Sequence, residues 1–438
     1  MLISRSSTMN SCVDLIKSLP FSSEVTICSV LPICTLLALY GKSELFSVIE
    51  MAYAEMSSEK SGRASLAILI TLILDEMESP SESYTLLTLI ETCIEWLKEM
   101  IPSVHNRDDI IEHVISAPKK ETVLTASLVS LMTVAFPRIA EENKQLKLLI
   151  SFLYQLLELY ALPEWVVHSV VDCALTEMAT AMGLSVSEFL YKHGSYIVHH
   201  VAIAARSRSE HDHAPVVLWA VLDKVDDRRL YSSVKHIVED LLQALDRFKQ
   251  DFCILVMRSM LSFISAVGRW FPELKPREVD ESCSVNEDED EEVMEVKRKE
   301  LPPPIADVEH VLLRTKHLLS SPHLPIRMLA MRILREGLYV LRYFDDALLP
   351  MVHQNWEALI NRFSDKELEI REEALKVVVQ MVSVSKTFVY RRVRYQLWPI
   401  LEKWVISNRL HMFASGTLAY RLQLLVIRSI ADIWIGIE

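Results

Sequence analysis

Glycine is scarce in this chain: there are eight in 438 residues, where average usage would supply roughly 30. That shortage argues against sheets joined by tight turns, which draw on glycine for their positive-φ positions. It favours helices, which interior glycine weakens. Cysteine is thin as well. The seven cysteines lie far apart, mostly in apolar runs (Cys28, Cys34, Cys93, Cys173, Cys253). An odd, scattered set reads as free buried thiols in a reducing compartment rather than a disulfide framework. None of the seven asparagines opens an Asn-x-Ser/Thr sequon, which agrees with a cytoplasmic or nuclear location. The most apolar early stretch, residues 25–40, contains Pro32 and is too short to span a bilayer. It reads as a buried helix, and no membrane contact is expected.

Motifs of catalysis are also lacking. "GKS" at 41–43 has Leu36 where a phosphate-binding loop requires glycine. There is no Gly-x-Ser-x-Gly, His-Glu-x-x-His or Cys-x-x-Cys. His193, His199, His200, His211 and His213 are dense, but without cysteine or a regular His pair they read as solvated helix-end and loop residues rather than ligands. No enzyme activity, cofactor or metal is therefore expected. Charge narrows the partners. The chain carries −13 overall, but residues 301–438 hold 18 Lys and Arg against 14 Asp and Glu, a net of +4, so residues 1–300 carry −17. An acidic front is a poor nucleic-acid surface, because phosphate contacts need clustered cations. The basic rear suits an acidic partner.

What is present is helical period. "SESYTLLTLIETCIEWLKEMIP" sets Leu86, Leu89, Ile90, Cys93, Ile94 and Leu97 on one stripe, with Pro102 as the expected stop. "VKHIVEDLLQALDRF" does the same with Ile237, Leu241, Leu242, Leu245 and Phe248. "LPIRMLAMRIL" from Leu324 and "LEIREEALKVV" from Leu368 match at an offset of 44, including Ile326/Ile370 and Arg327/Arg371. A looser copy, "LAYRLQLL", follows at 418–425. Paired helices at this period are the mark of HEAT and armadillo arrays. The fold class expected is all-α: an α-solenoid of HEAT/armadillo-like (TPR-like) antiparallel helix pairs. Asp365 is placed to cap the second helix of its pair, and Arg371 to reach a neighbouring turn.

Between these helical stretches lies "NEDEDEEVMEVKRKELPPP", with six consecutive acids at 287–292. Adjacent like charges and prolines cannot pack into a core. The organisation expected is a helical block over 1–279, a linker over 280–304 and a second block over 305–438. Ser284 stands three residues before the acid run, the pattern acid-directed kinases select, and is a candidate phosphosite; the alternative is an unmodified spacer. "YRRVRYQLW" at 390–398 is the one dense basic patch with aromatics. On a helix Arg391, Arg394, Tyr395 and Trp398 share a face, either a docking face for a partner or a solvated face whose arginine stems cover an apolar ridge.

From about Leu190 onward the sequence resembles the first Tel-two-interacting protein family, the HEAT-repeat scaffold of the Triple-T co-chaperone complex. The resemblance rests on "GSYIVHHVAIAARS", "HAPVVLWAVL", "VEDLLQALDRF", "GRWFPEL", "ELPPPIADV", "HLLSSPHLPIRMLAMRIL", "LLPMVHQNWEALINRF" and "TLAYRLQLLVI", in that order. It covers somewhat over half of the chain. It implies a non-catalytic scaffold that joins the other helical-repeat Triple-T subunits and, with the Hsp-ninety machinery, assists maturation of phosphatidylinositol-3-kinase-related kinases. Growth signalling and the DNA-damage response are the processes implied. Members of the family are longer at the N-terminus, so the chain is expected to represent a C-terminal part. An importin-type nuclear-transport receptor, also an acidic HEAT solenoid, is the alternative.

Overall fold

The computed structural model describes parts of residues 49–57, then 63–75, 84–105, 120–138, 142–160, 165–206, 214–245, 250–274, 301–408, 411 and 413–437. Among the described residues there is no strand. The helices form two compact units, Met1–His200 and Val201–Glu438. Residues 275–300, which hold most of the expected linker together with Ser284, lie outside the described residues, as do Cys28, Cys34, His211 and His213.

In the first unit α1 (Arg63–Asp75), α3 (Lys120–Ala135) and α5 (Trp165–Ala181) stack in one layer. Helices α2 (Tyr84–His105) and α4 (Glu142–Tyr160) pack beside them as a second layer. The stripe expected on α2 is buried from Leu86 through Leu97. The helix does not stop at Pro102 but runs to His105. Pro102 has no N–H to give the Lys98 carbonyl, so the final turn forms without that bond. Gln155 on α4 ties the second layer together, donating from Nε2 to the Ile94 carbonyl at 3.2 Å. The turn after α5 closes through Gly183 at φ 67°. There Leu184 N–H bonds the Ala179 carbonyl and Gly183 N–H the Thr180 carbonyl, each at 2.9 Å, the paired pattern that ends a helix on a left-handed residue. The following helix α6 (Val186–Arg206) starts in a capping box. Ser185 Oγ accepts from Glu188 N–H at 3.2 Å, and the Glu188 carboxylate accepts from Ser185 N–H at 3.1 Å.

In the second unit α7 (Ala214–Lys224), α9 (Gln250–Trp270), α11 (Leu324–Val340), α13 (Leu368–Ser385) and α15 (Leu418–Ile437) pack in succession, each on the next. A second layer follows the same order: α8 (Tyr231–Ala244), α10 (Pro303–Thr315), α12 (Asp345–Asn361) and the segment ending in α14 (Trp398–Asn408). Successive helices of one layer thus belong to successive antiparallel pairs, which is the solenoid arrangement. Residues 252–270 of α9 are long and apolar enough to cross a bilayer, yet they are packed between α7 and α11. Trp270 Nε1 donates to the Val225 carbonyl at 3.1 Å, and Arg269 to the Leu222 carbonyl at 2.6 Å, fastening α9 to the end of α7. Because α9 packs directly on α11, the stack is continuous across residues 275–300. Between α10 and α11 the Leu312 side chain lies over Gly337, where a Cβ would stand 2.6 Å from Leu312 Cδ2; any larger residue must displace that side chain.

Candidate docking surface

The 44-residue repeat creates a ladder of ionic contacts between consecutive pairs. Arg327, at the start of α11 and only 9 % exposed, donates from Nη1 to the Ser321 and Pro322 carbonyls at 2.9 and 2.8 Å. Its Nε lies 3.3 Å from the carboxylate of Asp365, in the turn of the next pair. Arg362 approaches the same carboxylate at 3.3 Å. Asp365 therefore does not cap α13, whose N-cap is Glu367 without a side-chain bond; its carboxylate is taken up by two arginines instead. Arg371 does what Arg327 does within its own turn, donating from Nε to the Asp365 carbonyl at 2.6 Å. Ile326 and Ile370, each one residue before its arginine, are both buried. Deeper along the interface Glu373, 2 % exposed, is paired with Arg335 and lies 3.6 Å from Lys376. Glu372 pairs with Lys376 at 2.8 Å and with Arg421 of α15 at 3.2 Å. These cations hold its carboxyl below the ordinary range even though burial alone raises it.

At the far end of α13 the chain turns through Lys386 at φ 44°, a conformation that costs a non-glycine residue energy and persists only where the surroundings hold it. One α-turn follows (Tyr390–Arg392), then a π-helical turn (Val393–Leu397), then α14. The wider π turn puts residues four apart on one line. Val393 and Leu397 are buried accordingly, and Trp356 of α12 donates from Nε1 to the Gln396 side-chain oxygen. The other side of the segment faces solvent. Arg391, Arg394, Tyr395 and Trp398 are all exposed, Tyr395 by 70 %. Arg394 donates to the Tyr390 hydroxyl at 3.1 Å and sits 5.8 Å from the Tyr395 ring centre. Arg392 lies 5.5 Å from the Phe388 ring and 2.9 Å from His353 Nδ1.

Sequence reasoning missed the residues that extend this surface. Phe388 and Tyr390 are each about two-fifths exposed at the same turn. The corresponding turn one pair earlier presents Tyr339, Arg342 and Tyr343, with the guanidinium 4.0 and 4.5 Å from the two rings. Both turns join a first-layer helix to a second-layer helix, so they lie on one edge of the stack. The signal available was Tyr343 and Phe388 at an offset of 45. Arginines over aromatic rings on an exposed edge form a surface suited to protein recognition, rich in the residue types that carry interface energy.

Besides Pro102 and Asp365, two further sequence expectations differ from the structure. His193 is buried rather than solvated, with its ring 5.2 Å from that of Phe189, and burial first, then Lys192, pushes its pKa down. Cys173 is exposed on α5 rather than buried, its Sγ 3.3 Å from a Glu177 carboxylate oxygen. His199 and His200 are exposed. Among the described residues no three His, Cys, Asp or Glu side chains converge as a metal site.

An all-α solenoid of HEAT/armadillo type, with an arginine- and aromatic-rich edge in its second unit, is the class of protein these observations define. The chain belongs to the TELO2-interacting protein 1 family: the family model of that description matches residues 153–242, and that of the TTI1 C-terminal TPR domain matches residues 259–438. It is similar to TELO2-interacting protein 1 homolog of Mus musculus, 24 % identical over 343 residues. It is also similar to the Homo sapiens homolog, 24 % identical over 348. Each alignment covers 65 % of this chain, which spans about a third of the length of these relatives, 32 %. Among solved structures, Kap121p bound to Nup53p matches over 99 % of this chain and 40 % of that one, at TM-score 0.51 and 13 % identity, a likeness of fold.

Proposed function

We propose that this chain is a non-catalytic scaffold that binds TELO2 and a further helical-repeat subunit in a Triple-T co-chaperone assembly. Through that assembly it assists Hsp-ninety-dependent maturation of phosphatidylinositol-3-kinase-related kinases, and so bears on TOR signalling and the DNA-damage response. Family membership is the observation that carries this reading. The exposed Arg391, Arg394, Tyr395 and Trp398 supply a face on which a partner subunit fits. The protein works in the cytoplasm and also in the nucleus, needs no cofactor, and contacts neither nucleic acid nor membrane. Ser284, outside the described residues, is the handle at which phosphorylation of the acidic segment adds charge for an Arg- or Lys-lined reader.

Affinity purification of the tagged chain from cells tests this reading. TELO2, the companion subunit and at least one such kinase are the expected partners. Recovery of GTP-loaded Ran in their place would overturn it in favour of a nuclear-transport receptor. Within that experiment Arg391→Glu with Tyr395→Ala should lower recovery of a companion subunit at least fivefold while leaving helicity and melting unchanged. Ser284→Ala should weaken recovery of a co-chaperone from cells in which the parent chain is phosphorylated there.

A further inference from the structure

Charge is balanced unevenly along the second unit. The ladder between α11 and α15 answers its cations with acids: Arg327 with Asp365, Arg335 with Glu373, and both Lys376 and Arg421 with Glu372. The segment after α13 does not. Residues 386–398 hold four cations, Lys386, Arg391, Arg392 and Arg394, and no acid. The nearest acid along the chain is Glu402, one helical turn beyond Trp398. None of the four cations is ion-paired with an acid among the described residues; Arg392 meets the His353 ring and Arg394 the Tyr390 hydroxyl. Register in the repeat shows what has been exchanged. At an offset of 45, the exposed Asp345 and Asp346 that open α12 correspond to Tyr390 and Arg391. Where one pair carries two acids close to Arg342, the next carries a ring and a further cation. Around these cations the Phe388, Tyr390, Tyr395 and Trp398 side chains are each more than a third exposed.

We propose that the outer side of residues 386–398 docks a short acidic segment of a partner protein, in which glutamates or aspartates flank a large apolar residue. The proposal rests on the reading of this face as a partner surface and names the chemistry the partner brings. Cations gathered in one stretch repel one another, and carboxylates laid across them relieve that repulsion. Arg391 and Arg394, three residues apart and both exposed, offer guanidinium forks to two carboxylates in the two-pronged geometry such pairs favour. The exposed Tyr395 and Trp398 rings beside them supply apolar surface for the residue between the acids. A basic segment would face like charge, so the site discriminates by repulsion as well as attraction. A nucleic acid fits less well. Its charge runs along its whole length, whereas this chain offers cations in one stretch and carries −13 overall, which repels a long polyanion. A short peptide meets the local cations alone, because charges more than about 8 Å away are screened in physiological salt.

The test uses the full chain and a fluorescein-labelled peptide carrying Glu-Glu-Phe-Glu-Glu in a Ser/Gly background, followed by fluorescence polarisation. Saturable binding is expected, weakened at least tenfold when the peptide's glutamates are replaced by glutamine. It should also weaken at least tenfold with Arg391→Glu combined with Arg394→Glu, and at least fivefold with Tyr395→Ala. Arg332→Glu combined with Arg428→Glu changes the net charge equally at exposed cations elsewhere in the second unit, and should leave binding within twofold. The glutamine peptide probes the ionic contact without altering the protein, so the proposal stays testable if a charge reversal disturbs the segment. Absence of binding to the parent chain, equal binding of the two peptides, or an equal loss from the Arg332 and Arg428 reversals would overturn it. Tighter binding of a single strand of ten thymidines than of the glutamate peptide would overturn it in favour of a nucleic-acid surface. Failure of the subunit purification with success here would reject the scaffold reading and leave the acidic docking face intact; the reverse result would reject the acidic segment and leave the scaffold reading standing.

Discussion

Single residues at the interface between pairs carry consequences out of proportion to their number. Glu373 is nearly inaccessible and is paired with Arg335. Removing Arg335 leaves a buried carboxylate with only Lys376 at 3.6 Å. Arg335→Ala is expected to cost about 3 kcal/mol in urea unfolding, while Arg335→Met combined with Glu373→Leu should recover most of it, because an apolar pair has no charge to desolvate. In the first unit, burial pushes the Glu158 carboxyl up to about 7, against the smaller opposite pull of Lys98. A carboxyl whose folded pKa lies above its unfolded value stabilises the fold when protonated. That contribution is complete below about pH 4.5 and is lost as pH rises through 7. Its size is at most about 3 kcal/mol. Stability of the parent should therefore fall between those pH values, and Glu158→Gln should flatten the fall, as measured by chemical denaturation at a series of pH values. Neither site was legible beforehand. Glu158 and Glu373 look like any solvated helical acid until the neighbouring helix is placed over them.

Elements were more readable than residues. The stripes of α2 and α8 follow from three-and-four spacing, and Ile237, Leu241 and Leu242 are buried as that spacing requires. The π turn was not readable, because Val393 and Leu397 are four apart and satisfy an ordinary α pattern equally well. What selects the wider turn is contact with α12 through Trp356 and Gln396. Deleting Gln396 should convert the turn to α-helix and rotate all that follows by about 100°. Far-ultraviolet circular dichroism is expected to stay unchanged while recovery of a companion subunit falls, since the exposed aromatic and basic residues no longer share their orientation. Asp365 teaches the same lesson from the other side. Its spacing suits a cap, but two arginines take the carboxylate, each bringing a full opposite charge where a backbone N–H brings only a dipole.

At the scale of the whole molecule, α15 has buried residues on one side, Leu422, Val426 and Ile433, and Leu424, Ile427, Trp434 and Ile435 exposed on the other. An apolar stripe of this length on a repeat helix favours cover. The isolated chain is expected to self-associate at high concentration, and Ile427→Glu with Trp434→Glu should shift sedimentation towards the monomer. Sequence by itself determined the helical class, since glycine shortage and helical period leave no other use for so many apolar residues. It also determined the repeat, because Leu, Ile and Arg recur at 44 residues, and the exposed basic patch. Only the tertiary structure decided which arginine meets which acid, that α9 stacks on α11 across the acidic stretch, and that Cys173 faces solvent. The physical reason is that periodicity specifies which face of a helix is apolar, whereas pairing, desolvation and cavities depend on the helix that is laid against that face.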